Sequence, residues 1–329
     1  MNSKNTTIKT IENELFDFSL VIPVYMNEEN ILDLLNLIRL LKAKLKGLFE
    51  VIFVVDGSPD HSYELLSEML PNSELSSQLL LLSRNFGSFT AIRVGIEVAR
   101  GKYIAVMSAD LQEPFDLILS FFDLLKKNEA DIVFGVRKSR KDNIITQLCS
   151  NLFWTFYRKF VMPDVPKGGI DVFAINDKVK NAILNIVEPN SSLVSQLMWI
   201  GFRRRFIPYN RLERTKGKSA WKMSRKFRYM LDSFFSFSDL PITILLLTGA
   251  IGIFVSIILI TIVLFSKITG KINVPGYTAT ITLQLFFFSL LLFTQGIIGS
   301  YLWRTFENTK RRPLSFVQFH SYFNSVEKQ

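Results

Sequence analysis

The chain has 329 residues and a formal charge of +10, with 48% hydrophobic residues, one cysteine (Cys149) and two histidines (His61 and His320). That length and apolar content supply an ample core and exclude disorder as the main state. A lone cysteine excludes an internal disulfide, and two distant histidines without Cys or His partners at ligand spacing exclude structural zinc, so a reducing compartment is expected. Met1 to Asp17 are polar and of mixed charge, with no apolar run and cleavage site, so the N-terminus is expected to stay in the cytosol.

From there short β-rich runs alternate with amphipathic stretches, the pattern of a mostly parallel sheet flanked by helices on both faces. The runs predict strands at Ser19–Tyr25, Glu50–Val55, Gln78–Ser83, Tyr103–Ser108 and Asp131–Gly135. Helical spacing fills Glu28–Lys46, Ser62–Leu70, Phe89–Arg100 and Phe115–Asn128 between them. Polar residues gather just after the strands, at Pro23–Tyr25, Asp56–Ser58, Arg84–Gly87, Asp110–Gln112 and Arg137. In open α/β sheets that edge is where ligands bind.

Asp56, behind an apolar strand, can accept hydrogen bonds from a base or ribose; Asp56-Gly57-Ser58-Pro59-Asp60 serves equally as turn and helix-cap chemistry, and both readings stand. Asp110 and Gln112 place an acid and an amide oxygen close enough to face one Mg²⁺ or Mn²⁺, ions that leave positions open for substrate phosphates. A plain helix cap at Asp110 is the alternative.

The positive charge is concentrated late in the chain. Gly201 to Tyr229 holds Arg203, Arg204, Arg205, Arg211, Arg214, Lys216, Lys218, Lys222, Arg225, Lys226 and Arg228 against Glu213 alone. Charge by itself suits nucleic acid, anionic lipid or phosphate substrates. The downstream segments decide among these, because Pro241–Ser266 and Val274–Trp303 carry no charged residue, and each exceeds the roughly 20 residues needed to cross a bilayer. Two transmembrane helices are expected, their short loop holding Lys267 and Lys271, with Arg304, Lys310, Arg311 and Arg312 behind the second. The positive-inside rule puts both flanks in the cytoplasm and the loop outside. Between cluster and first span, Ala220, Met223, Phe227, Met230, Leu231, Phe234 and Phe235 recur at helical spacing among cations, as in a helix lying on anionic lipid. Nucleic acid is therefore not an expected partner.

Eight segments in order carry a resemblance: SLVIPVYMNEENI (Ser19–Ile31), FVVDGSPDHS (Phe53–Ser62), LSRNFG (Leu82–Gly87), SADLQEP (Ser108–Pro114), FGVRKSR (Phe134–Arg140), GGIDVF (Gly168–Phe173), RTKGKSAW (Arg214–Trp221) and YLWRTFENTKRRP (Tyr301–Pro313). With the two spans, the chain resembles family 2 glycosyltransferases of the polyprenyl-phosphate branch, which includes dolichyl-phosphate mannose synthases and bacterial polyprenyl-phosphate glucosyltransferases. The resemblance implies a GT-A nucleotide-sugar-binding domain over residues 1–218, juxtamembrane amphipathic helices at 219–240, a two-helix transmembrane region at 241–303 and a cytoplasmic tail at 304–329. It implies nucleotide contacts at Pro23, Val24, Tyr25, Glu28 and Asp56, with Ser58 and Arg84 on the same edge. Metal and pyrophosphate fall to Asp110 and Gln112, and donor or lipid phosphate to Arg137, Arg214 and Lys218.

The implied reaction is inverting transfer of a hexose from a nucleotide-sugar, UDP-glucose first, to undecaprenyl phosphate at the cytoplasmic face of a bacterial inner membrane. Mg²⁺ or Mn²⁺ is the implied cofactor, membrane lipids are partners, and a homo-oligomer such as a tetramer is implied. Two departures stand out: Ser108 replaces a customary Asp, and Val55-Asp56 replaces a customary Asp pair. They leave open a weakly active or inactive member acting as a membrane-associated binding protein; an enzyme using GDP-mannose is a further alternative. A processive polysaccharide synthase is disfavoured by the absence of a Gln-x-x-Arg-Trp motif and of further spans.

Overall fold

The computed structural model describes residues 16–138, 164–166, 170–188, 191–212 and 276–324, with scattered positions between 155 and 158 and between 242 and 269. The surface helix expected over 220–237 and most of the first expected span lie outside the described residues.

Eight strands, β1 (Phe16–Val24), β2 (Phe49–Val55), β3 (Ser76–Leu82), β4 (Gly101–Val106), β5 (Ile132–Arg137), β6 (Ile170–Asn176), β7 (Arg204–Tyr209) and β8 (Val317–Phe323), form one sheet. Their order is β7-β5-β6-β4-β1-β2-β3-β8. Ladders β1–β2, β1–β4, β2–β3 and β5–β7 are parallel, while β4–β6, β5–β6 and β3–β8 are antiparallel. Because β6 reverses between β4 and β5, the C-terminal ends of β1 to β5 and of β7 share one edge.

The sheet is the middle layer of three. Leu20, Ile22, Val51 and Phe53 face a cluster closed by α1 (Ile31–Lys44) and α4 (Phe115–Lys126). Alternate residues, Val21, Ile52, Val54 and Leu80, face the other cluster with α3 (Ser88–Val98), α5 (Asp177–Leu184) and α6 (Leu193–Trp199). A strand covered on both sides is apolar along most of its length, and every residue of β2, Glu50 included, is buried. Phe53, Phe121, Phe134 and Phe173 are fully buried, each stabilising the fold by about 1.5–3 kcal/mol through removal from water.

The five strands expected from sequence occur within three residues of their expected bounds. The first helix opens instead with a 3-10 turn, Glu28–Asn30, and α2 spans Ser62–Met69. β6, β7 and β8 were not anticipated. β8 follows the 33-residue helix α7 (Tyr277–Thr309) and pairs with β3 from Leu82↔Val317 to Ser77↔Phe323, sealing that side of the sheet with chain from beyond the expected spans. Phe319 of β8 stacks on Tyr63 of α2, ring centroids 6.3 Å apart.

Among the described residues no helix is long and apolar enough to cross a membrane. The second expected span falls on α7, many of whose side chains lie outside the described residues.

At the edge opposite the strand ends, the fully buried Glu50 accepts hydrogen bonds from Ser19 Oγ (2.7 Å), Gln78 Nε2 (3.0 Å), and Arg100 N, Nε and Nη2 (2.6, 3.0 and 2.9 Å). A buried carboxylate is tolerated only when so surrounded. His320 of β8 reaches the same network, its Nε2 2.9 Å from Gln78 Oε1.

Candidate active site

The parallel strands deliver their polar termini to the shared edge. Pro23, Val24 and Tyr25 end β1, Asp56 and Ser58 follow β2, Arg84 follows β3, Asp110 and Gln112 follow β4, and Arg137 closes β5. Pro23 lies beyond Val21, the last residue of β1 in register with β4, so its missing N–H breaks no bond of that ladder. Arg214 and Lys218 lie outside the described residues.

Two of these loops are laced together. Met26 N donates to Ser58 Oγ (2.7 Å), Asn27 N to Ser62 Oγ (3.3 Å), Glu28 N to Asp60 Oδ2 (3.0 Å) and His61 N back to Glu28 Oε2 (2.9 Å). Burial pushes the Asp60 carboxyl up, but hydrogen bonds from Ser58, Ser62 and the Glu28 amide outweigh it and hold it below the usual range. Glu28 thus joins the loops, and Asp60, which the sequence pattern marked only as turn chemistry, anchors them.

Asp56 is 2% exposed, and its two oxygens accept from Phe86 N (2.7 Å) and Gly87 N (2.8 Å). This pairing fixes the Arg84–Gly87 loop against β2. Gly57 and Gly87 make the fit possible: a Cβ on Gly57 (φ +54°) would fall 2.3 Å from the Arg84 carbonyl carbon, and Gly87 has φ +100°. Within that loop the Arg84 guanidinium lies 4.1 Å from the centre of the Phe86 ring.

Past β4 the chain turns sharply at Leu111, whose φ is +59°. A left-handed leucine costs about 1–2 kcal/mol, the kind of strain that concentrates at functional sites. The turn sets Asp110 and Gln112, each 9% exposed, side by side. Ser108 Oγ is 2.6 Å from Asp110 Oδ1 and makes a very short hydrogen bond with Glu113 Oε2; Ser108 N also donates to Glu113. Glu113 is 2% exposed, and burial chiefly, helped by the charge of Asp110, raises its pKa against the lowering effects of Ser108 and Arg211.

Arg211, two residues past β7, places Nη2 3.6 Å from Asp110 Oδ2. Leu212 N donates to Gln112 O (2.9 Å), and Gln112 Nε2 donates to Leu212 O (3.1 Å). Sequence reasoning counted Arg211 within a basic run and Glu113 as a helix opener; β7, whose path joins Arg211 to Asp110, gave no strand signal.

The donor set has a definite character. With its Nε2 used by Leu212, Gln112 keeps Oε1 for a cation, and Asp110 adds one carboxylate. Among the described residues no group of three or more His, Cys, Asp or Glu could hold a metal by itself. These residues fit a hard divalent ion that draws its remaining oxygens from substrate phosphates and water.

The family model described as Glycosyl transferase family 2 matches residues 19–180, from β1 into α5. Over 302 residues the chain is 31% identical to sll0501 of Synechocystis sp., described as an uncharacterized glycosyltransferase, covering 92% of this chain and 94% of that protein. The chain belongs to glycosyl transferase family 2. Two further relatives have more specific names: the prophage bactoprenol glucosyl transferase homolog of Escherichia coli, 26% identical over 90% of this chain and 96% of that one, and the undecaprenyl-phosphate 4-deoxy-4-formamido-L-arabinose transferase of Pectobacterium atrosepticum, 27% identical over 93% and 94%. The chain is thus a glycosyltransferase with a GT-A-like α/β sheet, and Asp56, Asp110, Gln112 and Arg211 stand at the edge where such a sheet receives ligands.

Proposed function

We propose that this glycosyltransferase moves a hexose from a nucleotide-sugar, UDP-glucose first among candidates, to a polyprenyl phosphate at the cytoplasmic face of a bacterial inner membrane, inverting the anomeric carbon. The observation that carries the reading is the span of the likeness: relatives named for bactoprenol and undecaprenyl phosphate match over 90% or more of the chain. Two uncharged runs, Pro241–Ser266 and Val274–Trp303, support an anchor of two membrane spans. Outward apolar groups on α7 fit a lipid-facing helix, with Phe288, Leu291, Leu302 and Trp303 all more than half exposed.

The acceptor phosphate is already anionic at neutral pH, with a second pKa near 6 for phosphomonoesters. Its oxygen lone pair forms the new bond to the anomeric carbon as the bond to the diphosphate oxygen breaks and its electrons leave with the nucleotide, so no base has to take a proton. Catalysis then rests on positioning and on stabilising the departing charge. Asp110 and Gln112 would hold Mg²⁺ or Mn²⁺, which when bound neutralises that charge. The laced loops at Tyr25–Glu28 and Asp56–His61 shape the nucleotide side, while Arg137, Arg214 and Lys218 are assigned to phosphate.

Asp110→Asn in the full-length protein should lower transfer of radiolabelled glucose from UDP-glucose to undecaprenyl phosphate at least about a hundredfold, the scale of removing one transition-state charge contact. Unchanged turnover with Mg²⁺ present rules out the metal role. Absence of any glycolipid from wild-type protein with UDP-glucose, GDP-mannose and related donors rules out the reaction.

A further inference from the structure

We infer that Arg211 is a resident counter-cation of the donor site: its charge faces Asp110, and its guanidinium turns to the donor's diphosphate when nucleotide and divalent ion arrive. This rests on the proposed function, to which it adds a residue and an order of events.

Three observations converge on it. The backbone beside Arg211 is fixed, because Leu212 and Gln112 exchange two hydrogen bonds, 2.9 and 3.1 Å, that hold this segment against the Asp110 turn. The Arg211 side chain, 27% exposed, comes within 3.6 Å of Asp110, near enough for ionic attraction but beyond a hydrogen bond. Among the described residues its buried Nε has no hydrogen-bond partner.

A guanidinium offers five donors in a planar fork, and a buried N–H without an acceptor is an unstable arrangement. Asp110 stands too far off to satisfy it. A diphosphate offers the missing acceptors in the geometry that a guanidinium takes bidentately. A divalent ion on Asp110 would displace Arg211 from its present partner by like-charge repulsion, so metal entry and diphosphate capture become one exchange.

Arg211→Met keeps most of the apolar stem and deletes the fork, and full-length protein carries the test. Mn²⁺ alone, followed by electron paramagnetic resonance, should bind about tenfold tighter to R211M than to wild type, because the Arg211 charge no longer opposes a cation at Asp110. UDP in the presence of Mn²⁺, followed by calorimetry, should bind about tenfold more weakly. Shifts in opposite directions separate this role from general damage, which weakens both. In an Asp110→Asn background the effect of R211M on Mn²⁺ should vanish, and Arg211→Lys should recover part of the UDP affinity. Wild-type binding of UDP matched by R211M, or Mn²⁺ affinity unchanged or lowered by R211M, overturns the inference and leaves the proposed function standing. A wild-type protein that binds no UDP overturns both.

Discussion

Ser108 stands two residues before Asp110, and its hydroxyl bridges two carboxyl groups, Asp110 and Glu113. One hydroxyl proton cannot serve both contacts, so the buried Glu113 supplies the other by holding its own, in line with its raised pKa. The stability consequence has a definite sign. A folded state that keeps a proton the unfolded chain releases is favoured most below the ordinary glutamate value of 4.5, and loses that advantage as pH rises toward the folded value. Urea unfolding across pH 4–8 should therefore show wild type losing stability relative to Glu113→Gln as pH rises; superimposable profiles would contradict a protonated Glu113. At this scale Asp56, Asp110 and Gln112 were legible because acids and amides after apolar strands stand out. Glu113 and Arg211 were not, since a glutamate before a proline reads as a helix start, and one arginine in a basic run looks like any other until the fold sets it beside Asp110.

Elements were legible in proportion to their burial. The four parallel strands β1 to β4 and the apolar β5 stood out because both faces are covered and apolar residues run on. β7 begins with Arg204 and Arg205 and buries only Tyr209 of its six residues, so its sequence reads as charged surface. β8 likewise keeps a mixed, half-exposed face, and only the edge of β3 makes it a strand. That pairing contains a titratable latch. Burial, and next the charge of Arg100, lower the pKa of His320, which meets Gln78 on one side and the Tyr322 ring on the other, with Glu50 behind them. A depressed histidine stabilises β8 above the ordinary value of 6.5, and that contribution is lost as pH falls through the folded value. Protection factors of residues 317–323, with the intrinsic slowing of amide exchange in acid divided out, should fall between pH 7.5 and 5.5, and His320→Gln should remove that fall; equal protection factors at both values in wild type would refute the latch.

For the whole molecule, the uncharged runs and their cationic flanks make a membrane hairpin the arrangement to test. With Cys149→Ser as background, Lys267→Cys should react with an impermeant maleimide added to intact cells, and Arg311→Cys only after lysis. Labelling of both from outside, or of neither site before lysis, would refute the orientation. Composition and charge order carried this reading, and periodicity carried the three layers; what neither could supply was the return of the chain to its own first domain. That return has a consequence for biosynthesis. The edge of β3 stays bare while nearly all the remaining polypeptide is made, and an unpaired edge invites wrong partners. Of the described strands β8 is made last, and it completes a sheet begun by β1, so a translation product stopped short of Val317 should be a target for chaperones and proteases even with every residue of the candidate site in place.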